Sequence, residues 1–339
     1  MSDPVALTVR DAVCLFDVSP PFLDRVLSGA RRRVLRAVDG VSFTVRRGRT
    51  LGVVGESGCG KSTLARMIVG LQPPTAGTLR LEDMPDQDGI ARRPRVQMIF
   101  QDPYASLNPR WRVGDIVAEP IRELKLLTDE AAIQARVASL LKTVGLAAAD
   151  AARFPHAFSG GQRQRISIAR ALATEADVLV CDEPTSALDV SVQAQILNLM
   201  RRLQAELGLT YILISHNLSV VRHMSDDIAI MYLGRFVETG PAEEVFAAPR
   251  HPYTRLLLET IPDVQQPNRD RQPLSGEVPS PIDPPAGCPF HPRCPQAEVG
   301  CREARPELVA QGGREVACFL VRQSNVRPDG TIRSEDLRS

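Results

Sequence analysis

Short apolar runs recur through the first 250 residues, and most are followed by a stretch of helical periodicity. Residues 6–16 (ALTVRDAVCLF) and 41–45 (VSFTV) read as strands, the second closed by Arg46-Arg47-Gly48. The segment between them, PPFLDRVLSGARRRVLR, carries enough arginines for a patch but reads as a solvated loop. Residues 50–54 (TLGVV) form an apolar strand that runs into a glycine-rich loop, with a helix expected from Lys61 to Leu71. Residues 94–100 (PRVQMIF) are another strand, and from about 115 to 172 the pattern turns helical, with alanine-rich segments at 129–144 and 161–173. VLVCD (178–182) and YILISH (211–216) are apolar enough for buried strands, separated by a helix over about 190–207. ETGPAEEVF (238–246) reads as a strand end and a short helix. No internal repeat is present. The alternation predicts an α/β fold, with a mostly parallel sheet, helices on its faces and a helical insert between two strands.

The pattern changes after residue 250. Residues 262–295 hold many prolines, and the module that follows is loop-rich. Residues 323–339 are polar and read as a disordered tail. Of 339 residues, 43% are hydrophobic and 24% charged, which suits a globular chain large enough for a full core and a second, smaller module. The net charge of +1 gives no electrostatic argument for nucleic acid. No run reaches the roughly 18 to 20 apolar residues that cross a bilayer. The N-terminus lacks the basic and apolar regions of a secretory signal. The chain is therefore expected in the cytosol, with any membrane role reached through a partner.

Gly55-Glu56-Ser57-Gly58-Cys59-Gly60-Lys61-Ser62 fits G-x-x-x-x-G-K-[ST] at every fixed position, after an apolar strand and before a helix. Glycines let successive backbone N–H groups face phosphate oxygens, and the helix N-terminus adds partial positive charge. Lys61 supplies a full charge to the β- and γ-phosphates, and the Ser62 hydroxyl can ligate Mg²⁺. Thr63 follows within the same turn. Such a site needs an acid at the end of a neighbouring apolar strand. Asp182 can hold the Mg²⁺ shell, and Glu183 can polarise the attacking water.

Between these motifs stands Phe158-Ser159-Gly160-Gly161-Gln162, followed by the helix RQRISIARAL. It strongly resembles the signature of ABC ATPases, although that family more often begins it with leucine. The resemblance covers about residues 5–250. It implies a P-loop NTPase fold of the ABC type, with an antiparallel N-terminal subdomain and a helical subdomain at about 102–172. It also implies that Ser159, Gly160, Gly161 and Gln162 close over a nucleotide held by a second subunit, so that two ATP·Mg²⁺ are sandwiched in a dimer. Gln101 matches the Q-loop glutamine that contacts Mg²⁺ and water, Ser186-Ala187-Leu188-Asp189 the D-loop, and His216 the switch histidine on the γ-phosphate. Phe16 stands where the family places an aromatic that stacks on adenine.

The subgroup is legible too. Gln101 to Arg110 (QDPYASLNPR) and His251-Pro252-Tyr253-Thr254 resemble the oligopeptide, dipeptide and nickel permease ATPases. That implies a cassette over 1–250 and a C-terminal extension over 251–322. The expected function is ATP-driven import of peptides through two separate transmembrane permease subunits and an extracytoplasmic binding protein. The second ATPase is expected to be a related but different chain, and the pair to sit on the cytoplasmic face of the membrane. Nickel or another small solute is the alternative cargo. A soluble ABC protein of DNA repair or translation would carry two cassettes or long inserts, an exporter would lack the HPYT extension, and a non-hydrolysing subunit would not keep Glu183 and His216.

Four of the seven cysteines stand together, spaced Cys288-x5-Cys294-x6-Cys301-x16-Cys318. Thiolates suit Zn²⁺ or iron–sulfur chemistry, although no C-x2-C pair is present. The resemblance implies a [4Fe–4S] cluster, with Zn²⁺ or unliganded thiols as alternatives. A module so poor in apolar residues is expected to need a metal centre to fold.

Overall fold

A computed structural model describes residues 4–21, 24, 32–85, 91–92, 94–259 and 276–323. Most of the arginine-rich segment 20–36 and the tail from 324 on therefore lie outside the described residues. Strands β1 (Val5–Asp17), β2 (Val34–Arg46) and β3 (Thr50–Val54) precede helix α1 (Lys61–Ile68) and strand β4 (Ala76–Leu81). Strand β5 (Val96–Ile99) leads into helices α2 (Val113–Glu123), α3 (Glu130–Thr143) and α4 (Gly160–Leu172). Then come β6 (Val178–Asp182), α5 (Val190–Leu207), β7 (Thr210–Ser215) and α6 (Leu218–Met224). Strands β8 (Asp227–Tyr232) and β9 (Arg235–Pro241), helices α7 (Ala242–Ala247) and α8 (Pro252–Glu259), and strands β10 (Val309–Gln311) and β11 (Arg314–Val316) complete the labelled elements.

The chain divides into two compact units. The first comprises Met1–Thr8, Thr44–Thr50 and Arg80–Ile214. Its centre is the parallel set β5, β6 and β7, in register Val96↔Val178 and Val178↔Thr210. Every residue of β6 and β7 is buried, as expected of strands covered on both faces. Helix α3 starts because the Asp129 carboxylate accepts the Ala132 N–H at 2.8 Å. It buries Ile133, Val137, Leu140 and Leu141, one stripe at helical spacing. Helix α5 stops at Gly208, whose φ of 66° few other residues adopt.

The second unit comprises Val9–Phe43, Leu51–Leu79 and Ser215–Ser339. Here β3 pairs in parallel with β8 (Leu51↔Asp227), and β8 pairs antiparallel with β9. Strand β11 then adds to β9 (Glu238↔Val316), and β10 to β11. Strands β2, β1 and β4 form a separate three-stranded sheet. Two boundaries differ from the sequence reading. Strand β2 begins at Val34 rather than 41, because the charge of Asp39 within it is met by Arg235 at 2.8 Å. Helix α1 ends at Ile68 rather than Leu71, because Gly70 closes it at φ 77°.

The extension packs more fully than its composition suggests. Its shortage of apolar residues suggests that it cannot build a core of its own. The structure shows that it uses the core of its own unit instead. Phe290 is 1% exposed and meets the rings of Tyr232 and Tyr253, each with centroids 5.3 Å away. Arg314, on β11, donates to Glu244 O and Ala248 O and lies 3.8 Å from the fully buried Glu238. Packing and buried polar bonds thus contribute to holding the extension.

Candidate nucleotide site

The loop from Gly55 to Gly60 is built around close approaches. A Cβ on Gly55 would lie 2.2 Å from Met231 O, and one on Gly60 2.0 Å from Ala37 O. Gly60 also takes φ 109°, which turns the chain into α1 without a side-chain cap. The Gly234 N–H donates to Cys59 O at 2.8 Å and pins the loop from outside. Lys61 is buried, and its Nζ donates to Gly55 O and Glu56 O at 2.8 Å each, arching over the loop. Burial pushes the Cys59 thiol up, so it stays protonated. Ser62 is exposed and Thr63 half-buried in the first turn of α1, and Phe16 is half-buried near the end of β1. His216, in the same unit, is exposed just after β7. The next residue, Asn217, caps α6 by accepting the Ser219 N–H at 3.0 Å, which fixes the turn.

The first unit carries the acidic residues. Asp182 closes β6 and is buried. Glu183 follows at φ 48°, a region few non-glycine residues occupy, held there by its N–H bond to Ile214 O at 2.8 Å. Gln101 Nε2 donates to Glu183 Oε2 at 2.9 Å, so the structure brings these two expected residues together. The D-loop starts from the same acid, because the Ser186 hydroxyl donates to Glu183 O at 3.1 Å. Asp189 is the N-cap of α5 without a side-chain cap bond.

The signature segment is the N-terminus of α4. Ser159 Oγ accepts the Gln162 N–H at 3.4 Å, while Gln162 Oε1 accepts the Ser159 N–H at 3.0 Å, a reciprocal capping box. Gly160 and Gly161 keep this turn thin. A Cβ on Gly161 would come within 2.3 Å of Val192 Cγ1 on α5, and one on Gly160 within 3.3 Å of Leu188 Cδ2, so signature and D-loop adjoin. One residue escaped the sequence reading here. The Arg163 guanidinium lies 3.8 Å over the Tyr104 ring and donates to Pro155 O at 2.7 Å, linking the segment after Gln101 to the signature helix. An arginine within a helix that is buried on most sides was the available signal.

Comparisons with known proteins show the family. Residues 38–186 match the family model described as ABC transporter, and residues 237–301 match that of the oligopeptide/dipeptide transporter C-terminal region. The chain belongs to the ABC transporter family. As an ABC ATPase it hydrolyses ATP in the service of transport. It is 51% identical over 301 residues to the dipeptide transport ATP-binding protein DppF of Haemophilus influenzae, covering 86% of this chain and 91% of that one. It is 50% identical over 300 residues to the protein of the same name from Escherichia coli, covering 87% and 90%. Among solved structures, cbiO1 of Clostridium perfringens, described as part of the ABC transporter complex cbiONQ, superposes with a TM-score of 0.57. It is 27% identical, and the match covers 73% of this chain and 92% of that one.

The ABC extension carries the four cysteines. Cys288, Cys294, Cys301 and Cys318 all line one small cavity, with His251 and His291 at its wall. Burial, and then the charges of the other three, pushes Cys288 up to about 11. Burial likewise raises Cys294 and Cys318. Among the described residues, no group of three or more His, Cys, Asp or Glu is placed to hold a metal ion. That leaves the Zn²⁺ alternative without a set of converging ligands to support it. It also leaves the expectation of a [4Fe–4S] centre without a metal-binding group to support it. Among the described residues no helix is long and apolar enough to cross a membrane.

Proposed function

We propose that this ABC ATPase powers the import of di- or oligopeptides. Its two transmembrane permease partners, extracytoplasmic binding protein and second, related ATPase chain place it at the cytoplasmic face of the membrane. The similarity to dipeptide transport ATP-binding proteins over nine-tenths of their length carries this reading. The division into a cassette over 1–250, with a helical subdomain at about 102–172, and an extension over 251–322 belongs to the same reading. Lys61 binds the β- and γ-phosphates, Ser62, Gln101 and Asp182 hold Mg²⁺, and Phe16 stacks on adenine. His216 contacts the γ-phosphate. Ser159 and Gly161 meet the nucleotide of the opposite subunit. Glu183 orients the attacking water, for which the bond from Gln101 is the structural support. Uptake of a labelled dipeptide by cells lacking the chain is the test. Uptake is lost and returns with the wild-type chain; intact peptide uptake with lost nickel uptake would transfer the assignment to the alternative cargo.

For the cysteine cavity the reading is a [4Fe–4S] cluster. A cubane takes one thiolate at each of four separate corners, so its ligands surround a cavity and need not converge as they do on one ion. The raised thiols fit a site that becomes thiolate only when a cation is supplied. Cys288, Cys294, Cys301 and Cys318 would hold the cluster, which supplies folding energy to the extension. Protein purified without oxygen contains about four irons and four sulfides per chain; protein without iron would end this reading and leave the ATPase assignment intact.

A further inference from the structure

Glu56 is an acid in the second position of a loop made to receive a triphosphate. Left alone, a carboxylate there opposes the phosphate charge. The structure shows how it is managed. Arg293, from the extension, grips it with both ends of its guanidinium, at 2.7 Å (NH1 to Oε2) and 3.0 Å (NH2 to Oε1). The Arg293 side chain is 3% exposed and that of Glu56 22%, so water screens this pair little. A bidentate guanidinium–carboxylate fork fixes orientation as well as charge. The same residue is held at two further points. Its N–H donates to Tyr253 Oη at 3.1 Å, and its carbonyl accepts from Lys61 Nζ at 2.8 Å. Tyr253 belongs to α8, and Arg293 immediately precedes Cys294 at the cysteine cavity. Glu56, Tyr253 and Arg293 all lie within one compact unit.

We infer that Arg293 is a positioning residue for ATP: the extension reaches back to the phosphate loop, neutralises Glu56 and holds the loop in its phosphate-binding shape. The extension is thereby part of the nucleotide site through a residue that never touches nucleotide. The inference rests on the loop binding ATP, which the wild-type chain reports separately.

The test measures MgATP binding and steady-state ATPase kinetics on the full-length chain and three variants. In Arg293→Gln the carboxylate is left uncompensated, so ATP binds weaker and KM rises on the order of tenfold, while kcat changes little. In Glu56→Gln the repelling charge is gone, and ATP binds about threefold tighter. The double variant Glu56→Gln/Arg293→Gln recovers most of the affinity that Arg293→Gln loses. A structural defect in the extension would not be rescued by removing a carboxylate, so a double variant as weak as the single one overturns the inference. Wild-type affinity in Arg293→Gln overturns it as well. If Arg293→Gln does not fold, Glu56→Gln decides alone, and failure to bind ATP more tightly is the negative result. A wild-type chain that binds no MgATP would instead overturn the ATPase reading.

Discussion

The phosphate loop and the signature turn are both glycine-bearing helix N-termini suited to anions, yet they are finished differently. The signature satisfies its own first turn through the reciprocal bonds of Ser159 and Gln162, and Ser159 lies exposed. The phosphate loop has no side-chain cap at Gly60. Its shape comes from outside: Gly234, Tyr253 and Arg293 hold it. A self-capped turn keeps its form while offered to a partner. A loop that leaves its N–H groups for ligand needs bracing from the surrounding fold.

Four substitutions sharpen or break that contrast. Lys61→Ala removes the full charge over the braced loop, and ATP binding falls at least about a hundredfold by titration with a fluorescent nucleotide; near-normal affinity would deny the loop its role. Glu183→Gln leaves binding intact and cuts ATPase turnover by about a hundredfold or more, trapping ATP-bound dimers visible by size-exclusion chromatography. Gly161→Ala drives a methyl into Val192, and turnover drops roughly tenfold while nucleotide binding by the single chain persists. If both fell together, the signature turn would be acting within its own chain.

The smallest effect tests the bracing. Asp39 accepts from Arg235 at 2.8 Å and from Arg305 of the extension at 3.2 Å. Burial would raise its pKa, but the bond and charge of Arg235, with Arg305 and Arg36, outweigh that and hold it below the usual carboxylate range. A group lowered in the fold binds fewer protons there than when unfolded. Its stabilisation is therefore complete above about pH 3.9 and is lost as the pH falls through the folded value. Asp39→Asn should cost about 1–3 kcal/mol in thermal unfolding at neutral pH and flatten the loss in acid. An unchanged acid profile would show that this carboxylate does not tie the extension down.

Much of the candidate nucleotide site was legible because phosphate chemistry constrains neighbours in sequence. The residues from Gly55 to Ser62, the acid pair at the end of β6 and the turn before α4 each carry their geometry locally. The buried strands were legible for the same reason, as continuous apolar runs. What escaped depended on long separation. Nothing near Glu56 signals Arg293, which is 237 residues away. The pairing of β11 with β9 is likewise invisible in the short REV segment, whose arginine looks like a surface charge and is buried. Composition understated the packing of the extension because it counts the apolar residues that a segment owns, not the core that it shares.

The bond between Arg293 and Glu56 also bears on synthesis. A ribosome delivers the N-terminal part of a chain first, so every cassette motif emerges before the residue that steadies the phosphate loop. A nascent or truncated copy would display the full set of ATP-handling sequences and, without Arg293, would bind nucleotide about tenfold more weakly. On the inference drawn above, full affinity for ATP comes only once the polypeptide is complete.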